Sequence, residues 1–286
     1  MSADHQLQNP ELSIVIVNSD STEHTLACLD SIFLHPPELP YEVILVDNCS
    51  AVSCLSVVAE SYPEVRRFSA PQKQGFARNY NLGVRQAAGE FILILNNDTV
   101  VLPGTIDRLV RALQFNPNYG MVGPQLRSRN WRVQSVCARK LPTPWDYLWW
   151  QLFTDPGLPT GRLLEYLHQR RVARRKSGPV ACISGACMLV TRRALEQVGL
   201  LDEGYDFYYE DIEWCHRVQK RGYQVAYIAE SRLFHLGDQS LFKVKEWAKR
   251  SEYLSAQRYF RQYYRINPAW QRVLWLATLS GFALRA

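Results

Sequence analysis

An α/β fold built on a mostly parallel central sheet, with helices on its faces, is predicted by three features of the sequence. Short β-branched and aliphatic runs alternate with stretches of helical spacing. These runs are almost continuously apolar, as strands buried on both faces are. Three of them stop at Asn and Asp clusters, where open parallel sheets gather their ligands.

Residues 12–17 form the first run, and residues 22–33 follow with Leu26, Leu29, Ile32 and Phe33 at helical spacing. Residues 41–46 are a second strand ending at Asp47-Asn48. Residues 55–62 form a helix closed by Pro63, and residues 65–69 a short third strand. Residues 75–88 are helical, and residues 91–95 are a strand that halts at Asn96-Asn97-Asp98. Pro103 opens a helix through Leu113, and residues 120–124 are extended. Residues 128–178 lose the pattern, with Trp131, Trp145, Trp149 and Trp150 among prolines and arginines, and read as an irregular insertion. Order returns over residues 180–190, then in helices at 192–198 and 210–221, a strand at 224–228 and a long amphipathic helix at 245–264. The division expected is a domain over 1–240, with halves near 12–100 and 101–240, followed by a helical extension over 241–286.

With 286 residues, 47% hydrophobic and 21% charged, the chain can bury a sizeable core, which excludes disordered and fibrous classes. Its 33 Lys and Arg against 27 Asp and Glu suit phosphates or an anionic membrane surface. Charge alone would admit nucleic acid, but no nucleic-acid motif accompanies it, and no such partner is expected. The run Arg170, Arg171, Arg174, Arg175 and Lys176 reads as a solvated face. Seven cysteines form no CxxC pair and read as reduced core thiols. The polar first eleven residues lack the regions of a signal peptide, which favours a cytoplasmic location. No apolar stretch reaches the roughly 18 to 20 residues that span a bilayer, so any membrane contact would be peripheral, at the inner face.

Asp98, at the mouth of a buried strand, is an oxygen ligand placed where a hard cation could bridge a diphosphate. Glu210 and Asp211 are adjacent carboxylates at a helix start, where the helix dipole stabilises them. The aromatics beside them, Tyr205, Phe207, Tyr208 and Tyr209, point to a partly dry pocket able to shape a sugar site. His235 follows the strand at 224–228 after a short loop.

Residues 14–18, 43–50, 75–83 and 95–99, together with 185–190, 198–203, 207–217 and 221–223, resemble the ordered motifs of the family 2 inverting glycosyltransferases. The similarity runs from about Leu12 to His235 and is nearest to bacterial rhamnosyltransferase-like members. The resemblance implies a GT-A fold, Rossmann-like, with C-terminal helices. It implies a nucleotide-diphosphate sugar donor (dTDP-rhamnose first, then UDP-sugars) and a saccharide or lipid-linked acceptor in cell-surface polysaccharide synthesis. Asn18, Asp47, Asn48, Arg78, Asn81, Asn97, Asp98 and Gly185 would contact the donor, with Asp47 at the nucleobase. Asp98 and His235 would hold Mg²⁺ or Mn²⁺. Asp211 would be the general base, with Glu210 the next candidate. Two departures stand out: Asn96 occupies the first acidic position of the family's Asp-x-Asp, and Asn18-Ser19-Asp20 replaces its commoner Tyr-Asn. The rival reading that Asn96 favours is a sugar-nucleotide-binding protein of the same fold without turnover. Residues 270–279, rich in Trp and Leu, are expected either to pack on the domain or to dock on a membrane surface.

Overall fold

The computed structural model describes residues 9–153, 163–164, 167, 170–172, 175–237 and 245–283. Its parallel half is built from β1 (Leu12–Asn18), β2 (Tyr41–Asp47), β3 (Arg66–Ser69) and β4 (Phe91–Asn96). β1 pairs in parallel with β2 and β4, and β2 with β3. Helices α1 (Thr22–Leu34), α2 (Leu55–Ser61) and α3 (Phe76–Val84) connect these strands. Leu12, Ile14, Val15 and Ile16 of β1 and Ile92 through Leu95 of β4 are fully buried, which explains their unbroken apolarity. α3 lies so close to β1 that a Cβ on Gly83 would stand 2.4 Å from Val15 Cγ1.

The second half comprises β5 (Thr99–Val101), α4 (Thr105–Phe115), β6 (Tyr119–Arg127), a 3₁₀ turn (Ser135–Cys137) and α5 (Pro144–Phe153). β7 (Gly178–Val180), β8 (Cys187–Thr191), α6 (Arg192–Val198), α7 (Glu210–Lys220) and β9 (Gln224–His235) follow. Among the described residues nine strands join one sheet in the order β3-β2-β1-β4-β8-β6-β9-β5, with β7 paired to β9. β8 is antiparallel to both its neighbours, β4 and β6, whereas β6 and β9 are parallel.

Several boundaries differ from expectation. The apolar stretch 180–190 is two strands joined by a buried loop, with Cys182, Ile183 and Ala186 in the core. Apolarity without a period cannot separate a buried loop from a buried strand. β9 extends to His235, so this residue ends a strand rather than following a loop. The insertion holds a 3₁₀ turn and a helix, α5, in place of irregular chain. α3 stops at Val84, short of residue 88. Six cysteines are buried thiols, but Cys49 is exposed. Of the basic run, Arg170, Arg171, Arg175 and Lys176 are exposed, and Arg174 lies outside the described residues.

The C-terminal helices α8 (Lys245–Tyr264) and α9 (Pro268–Ala283) pack on this body. Tyr259 and Phe260 are fully buried, and their rings meet Tyr209, with Phe260 also 5.9 Å from Tyr147 of α5. α9 buries Leu274, Ala277 and Thr278, and the Thr278 hydroxyl lies 3.2 Å from that of Tyr147.

Candidate functional site

The Asn and Asp clusters after β1, β2 and β4 meet at one edge of the sheet, as parallel strand ends must. Asn18 is their hub. Its amide donates to Asp47 Oδ1 at 2.7 Å and to Ser50 Oγ at 3.1 Å. Its carbonyl accepts from Thr25 Oγ1, Ser21 N and, at 3.4 Å, from the amide of Asn97. Asp47 also accepts from Ser50 Oγ and Ser50 N. Asn48 exchanges two hydrogen bonds with the backbone of Gln74, fixing the loop that leads into α3. Thr25, Ser50 and Gln74 thus belong to the site; Ser50 closes the 43–50 motif, whereas Thr25 and Gln74 are common polar residues outside any motif and carry no signal in the sequence.

Arg78 and Asn81, expected among the donor contacts, are not part of this cluster. Asn81 is buried, exchanges hydrogen bonds with the backbone of Leu201 and donates to Glu203 Oε1. Arg78 is half-exposed and 4.0 Å from Glu203. Both tie α3 to the loop at 201–203.

Asp98 follows β4 directly. Its Oδ1 is buried, has no hydrogen-bond partner, and faces His235 Nε2 at 3.4 Å. Burial raises the Asp98 pKa, but His235 outweighs it and holds the carboxyl below its ordinary value. His235 is oriented from behind by Gln134, whose amide nitrogen donates to the His235 carbonyl at 2.9 Å. That assignment turns Gln134 Oε1 toward His235 Nδ1, also at 2.9 Å, so Nδ1 carries the proton. The gap between Nε2 and Asp98 then suits either a second proton or a cation binding both atoms. An orphaned carboxylate oxygen facing an imidazole nitrogen locked in one tautomer fits a divalent cation. Among the described residues no group of three or more His, Cys, Asp and Glu is placed to hold a metal ion, so donor oxygens and water would have to supply the remaining ligands.

The third part of the site is the start of α7. Tyr208 and Tyr209 adopt φ of 64° and 68°, left-handed values that cost non-glycine residues about 1 to 3 kcal/mol each. The packed ring of Tyr209 and the hydrogen bond from Glu213 N to its carbonyl hold that turn. Immediately after it, Asp211 Oδ2 accepts from Gly185 N at 3.0 Å and from Arg139 Nη2 at 2.7 Å. Glu210 is buried, with Oε2 unpaired. Its carboxyl is pushed up to about 8, first by burial and then by the charge of Asp211. The loop carrying Gly185 joins the strand ends directly, since Asn96 N donates to Ala186 O at 2.9 Å. Tyr80 donates to Leu95 O and Asn96 Oδ1 on the same edge.

The four aromatics before Glu210 do not form a common pocket. Tyr205 and Tyr209 are buried against α8, whose Gln262 accepts from the Tyr205 hydroxyl, and Phe207 contacts Tyr208 and Trp247. Core packing of the C-terminal helix accounts for most of this run.

A mostly parallel sheet whose strand ends gather Asn and Asp side chains, with a carboxylate dipeptide at a nearby helix start, is the architecture of a GT-A fold. Residues 10–265 match the family described as Glycosyltransferase like family 2, and the chain belongs to that family. It is 29% identical over 235 residues to the N-acetylglucosaminyl-diphospho-decaprenol L-rhamnosyltransferase of Mycobacterium tuberculosis, covering 78% of this chain and 75% of that protein. To the low-salt glycan biosynthesis hexosyltransferase Agl10 of Haloferax volcanii it is 25% identical over 219 residues, covering 75% and 64% of the two chains. Among solved structures, the mannosyltransferase PcManGT from Pyrobaculum calidifontis, in complex with GDP-Man and Mn²⁺, aligns with a TM-score of 0.60 at 16% identity. That alignment covers 97% of this chain and 75% of PcManGT. GalNAc-T7 with UDP, GalNAc and Mn²⁺ aligns at 0.58 and 16% identity, covering 80% and 44%. These structural likenesses show the fold.

Proposed function

We propose that this glycosyltransferase moves a sugar, rhamnose first among candidates, from a nucleotide-diphosphate donor to a saccharide or lipid-linked saccharide in cell-surface polysaccharide synthesis, with inversion. The observation that carries this reading is that one sheet edge joins the Asn18–Asp47–Asn97 cluster and Asp98–His235 to the loop that fixes Asp211. dTDP-rhamnose is the leading donor because the relative from M. tuberculosis is named for rhamnosyl transfer. UDP-sugars come next.

Asn18, Asp47 and Asn48 would bind the nucleoside, with Asp47 at the base. Asp98 and His235 would hold Mg²⁺ or Mn²⁺, which when bound offsets negative charge on the departing diphosphate. Asp211 takes the proton of the acceptor hydroxyl as that oxygen bonds to the anomeric carbon. The bond from this carbon to the diphosphate oxygen breaks in the same step, and its electron pair leaves with the diphosphate. One displacement of this kind inverts the centre. Burial and the neighbouring charge push the Glu210 carboxyl up to about 8, which favours its protonated form and makes it the poorer base of the pair.

Contact with an anionic membrane surface is part of the proposal. α5 and α9 leave Trp145, Trp149, Val273, Trp275 and Leu276 exposed on neighbouring helices, with Trp145 edge-on to Trp270 at 4.5 Å. Residues 245–283 hold seven Lys and Arg against two Asp and Glu. Apolar rings beside a basic excess suit anionic lipid. No helix among the described residues is long and apolar enough to cross a membrane.

The test is transfer from a panel of sugar nucleotides, with thermal shift as the binding readout. A donor that raises the melting temperature only with Mg²⁺ or Mn²⁺ and is consumed only with acceptor supports the reading. Donor binding without transfer to any saccharide would favour the non-catalytic alternative.

A further inference from the structure

Building on the reading of Asp211 as general base, we infer that Arg139, carried by the segment that looked like an irregular insertion, is the positioning residue that fixes the base.

The backbone of Arg139 is clamped before the side chain is considered. Its N–H donates to Cys182 O at 2.8 Å and its carbonyl accepts from Cys182 N at 3.0 Å, an isolated bridge that ties the insertion to the loop between β7 and β8. From there Nη2 reaches Asp211 Oδ2 at 2.7 Å and the carbonyl of Ile183 at 3.4 Å. Gly185, on that same loop, donates to the same oxygen. Two donors from two segments, one of them charged, therefore converge on Oδ2. Among the described residues, Oδ1 receives the amide of Ile212, next in the chain. A Cβ at residue 185 would come within 3.3 Å of Asp211 Cβ, so the carboxylate is held against bare backbone.

This arrangement selects one rotamer for Asp211 and compensates its charge in a buried setting. The groups facing Asp211 are Arg139 from the insertion, Glu210 on its own helix, and the buried thiols of Cys182 and Cys215. Arg139 is thus the cation of a cluster that otherwise holds only acids. A purely structural arginine would anchor the loop through Cys182 and Ile183 and leave the base indifferent to its charge. A positioning arginine ties the protonation of Asp211 to its presence, because removing a cation in contact makes a carboxylate easier to protonate.

The experiment compares Arg139→Met, Arg139→Lys and Asp211→Asn in the full chain with Mn²⁺, dTDP-rhamnose and an N-acetylglucosaminyl diphospho-lipid acceptor. It measures kcat/KM against pH, with donor affinity by calorimetry. For Arg139→Met the expected result is a fall of about 10²-fold in kcat, as for a misplaced catalytic group. The acid limb of the profile should move to higher pH, with donor affinity unchanged. Arg139→Lys should return the limb toward the wild-type position while recovering only part of the rate, since a lysine restores charge without the guanidinium geometry. An acid limb that stays in place in both variants overturns the inference, whatever the loss of rate. If Arg139→Met fails to fold, Arg139→Gln, which also removes the charge, carries the same decision. Full activity in Asp211→Asn would instead remove the base assignment on which this inference rests.

Discussion

At Asp211 the amide of Gly185 and the guanidinium of Arg139 hold one carboxylate oxygen in place. In the proposed reaction this geometry is what the residue contributes, because a base in contact with the acceptor takes the proton as the bond forms. Asp211→Asn is expected to leave donor affinity intact and lower turnover by about 10²- to 10⁴-fold. Turnover near wild type would shift the role toward Glu210. Asp98→Ala should weaken both donor affinity and its dependence on Mn²⁺, measured by titration calorimetry with and without chelator, because cation and diphosphate are bound jointly. Donor affinity indifferent to chelator in the wild type would end the metal assignment. Glu210 offers a pH test. Its carboxyl sits near 8 when folded against an ordinary value of 4.5. Between those values the folded chain keeps a proton that the unfolded chain has lost, so stability falls as pH rises through the window and levels off above it. Glu210→Gln should flatten that part of a plot of urea midpoint against pH, and an unchanged slope would assign it to other groups.

At the scale of elements, the insertion and the C-terminal helices pack on the body that carries the strand ends. α8 supplies Tyr259 and Phe260 to the core beneath the strained Tyr208–Tyr209 turn, so its docking supports the backbone that presents Glu210 and Asp211. Phe260→Ala is expected to cost about 3 to 5 kcal/mol in equilibrium unfolding, as for large aromatic truncations in packed cores. A loss below 1 kcal/mol would mean that α8 is only loosely attached. The order of strands and helices in the first half was legible because each buried strand is a compact apolar run ending in polar residues, as in 91–96 followed by Asn97-Asp98. The second half was less so. β8 enters antiparallel between β4 and β6, and a run of apolar residues carries no mark of its direction.

For the whole molecule, the question is which way it faces. The tryptophan face of α5 and α9 and the basic helices around it predict binding to phosphatidylglycerol vesicles, weakened by salt and absent on phosphatidylcholine. Trp149→Ala combined with Trp275→Ala should reduce that binding while sparing transfer to a short soluble acceptor. Point changes are cleaner than truncation after Asn267, which would also strip Leu274 and Thr278 from Tyr147. Unchanged vesicle binding, or a dimer in solution that dissociates in the double variant, would reassign this face to a protein contact.

By itself the sequence determined the α/β class, the strand ends at Asn18, Asp47 and Asn97-Asp98, and the carboxylate pair Glu210-Asp211, because each is written within a few consecutive residues. The tertiary structure decided which of these act together. Arg139 and Gln134 sit in a stretch with no periodicity and reach Asp211 and His235 across 72 and 101 positions. Asn81, which lies in a matching motif, is turned to the loop at 201–203 instead. Local sequence fixes backbone habit and burial pattern. A side chain's partner depends on which distant segments the sheet order brings alongside it, and no spacing along the chain records that.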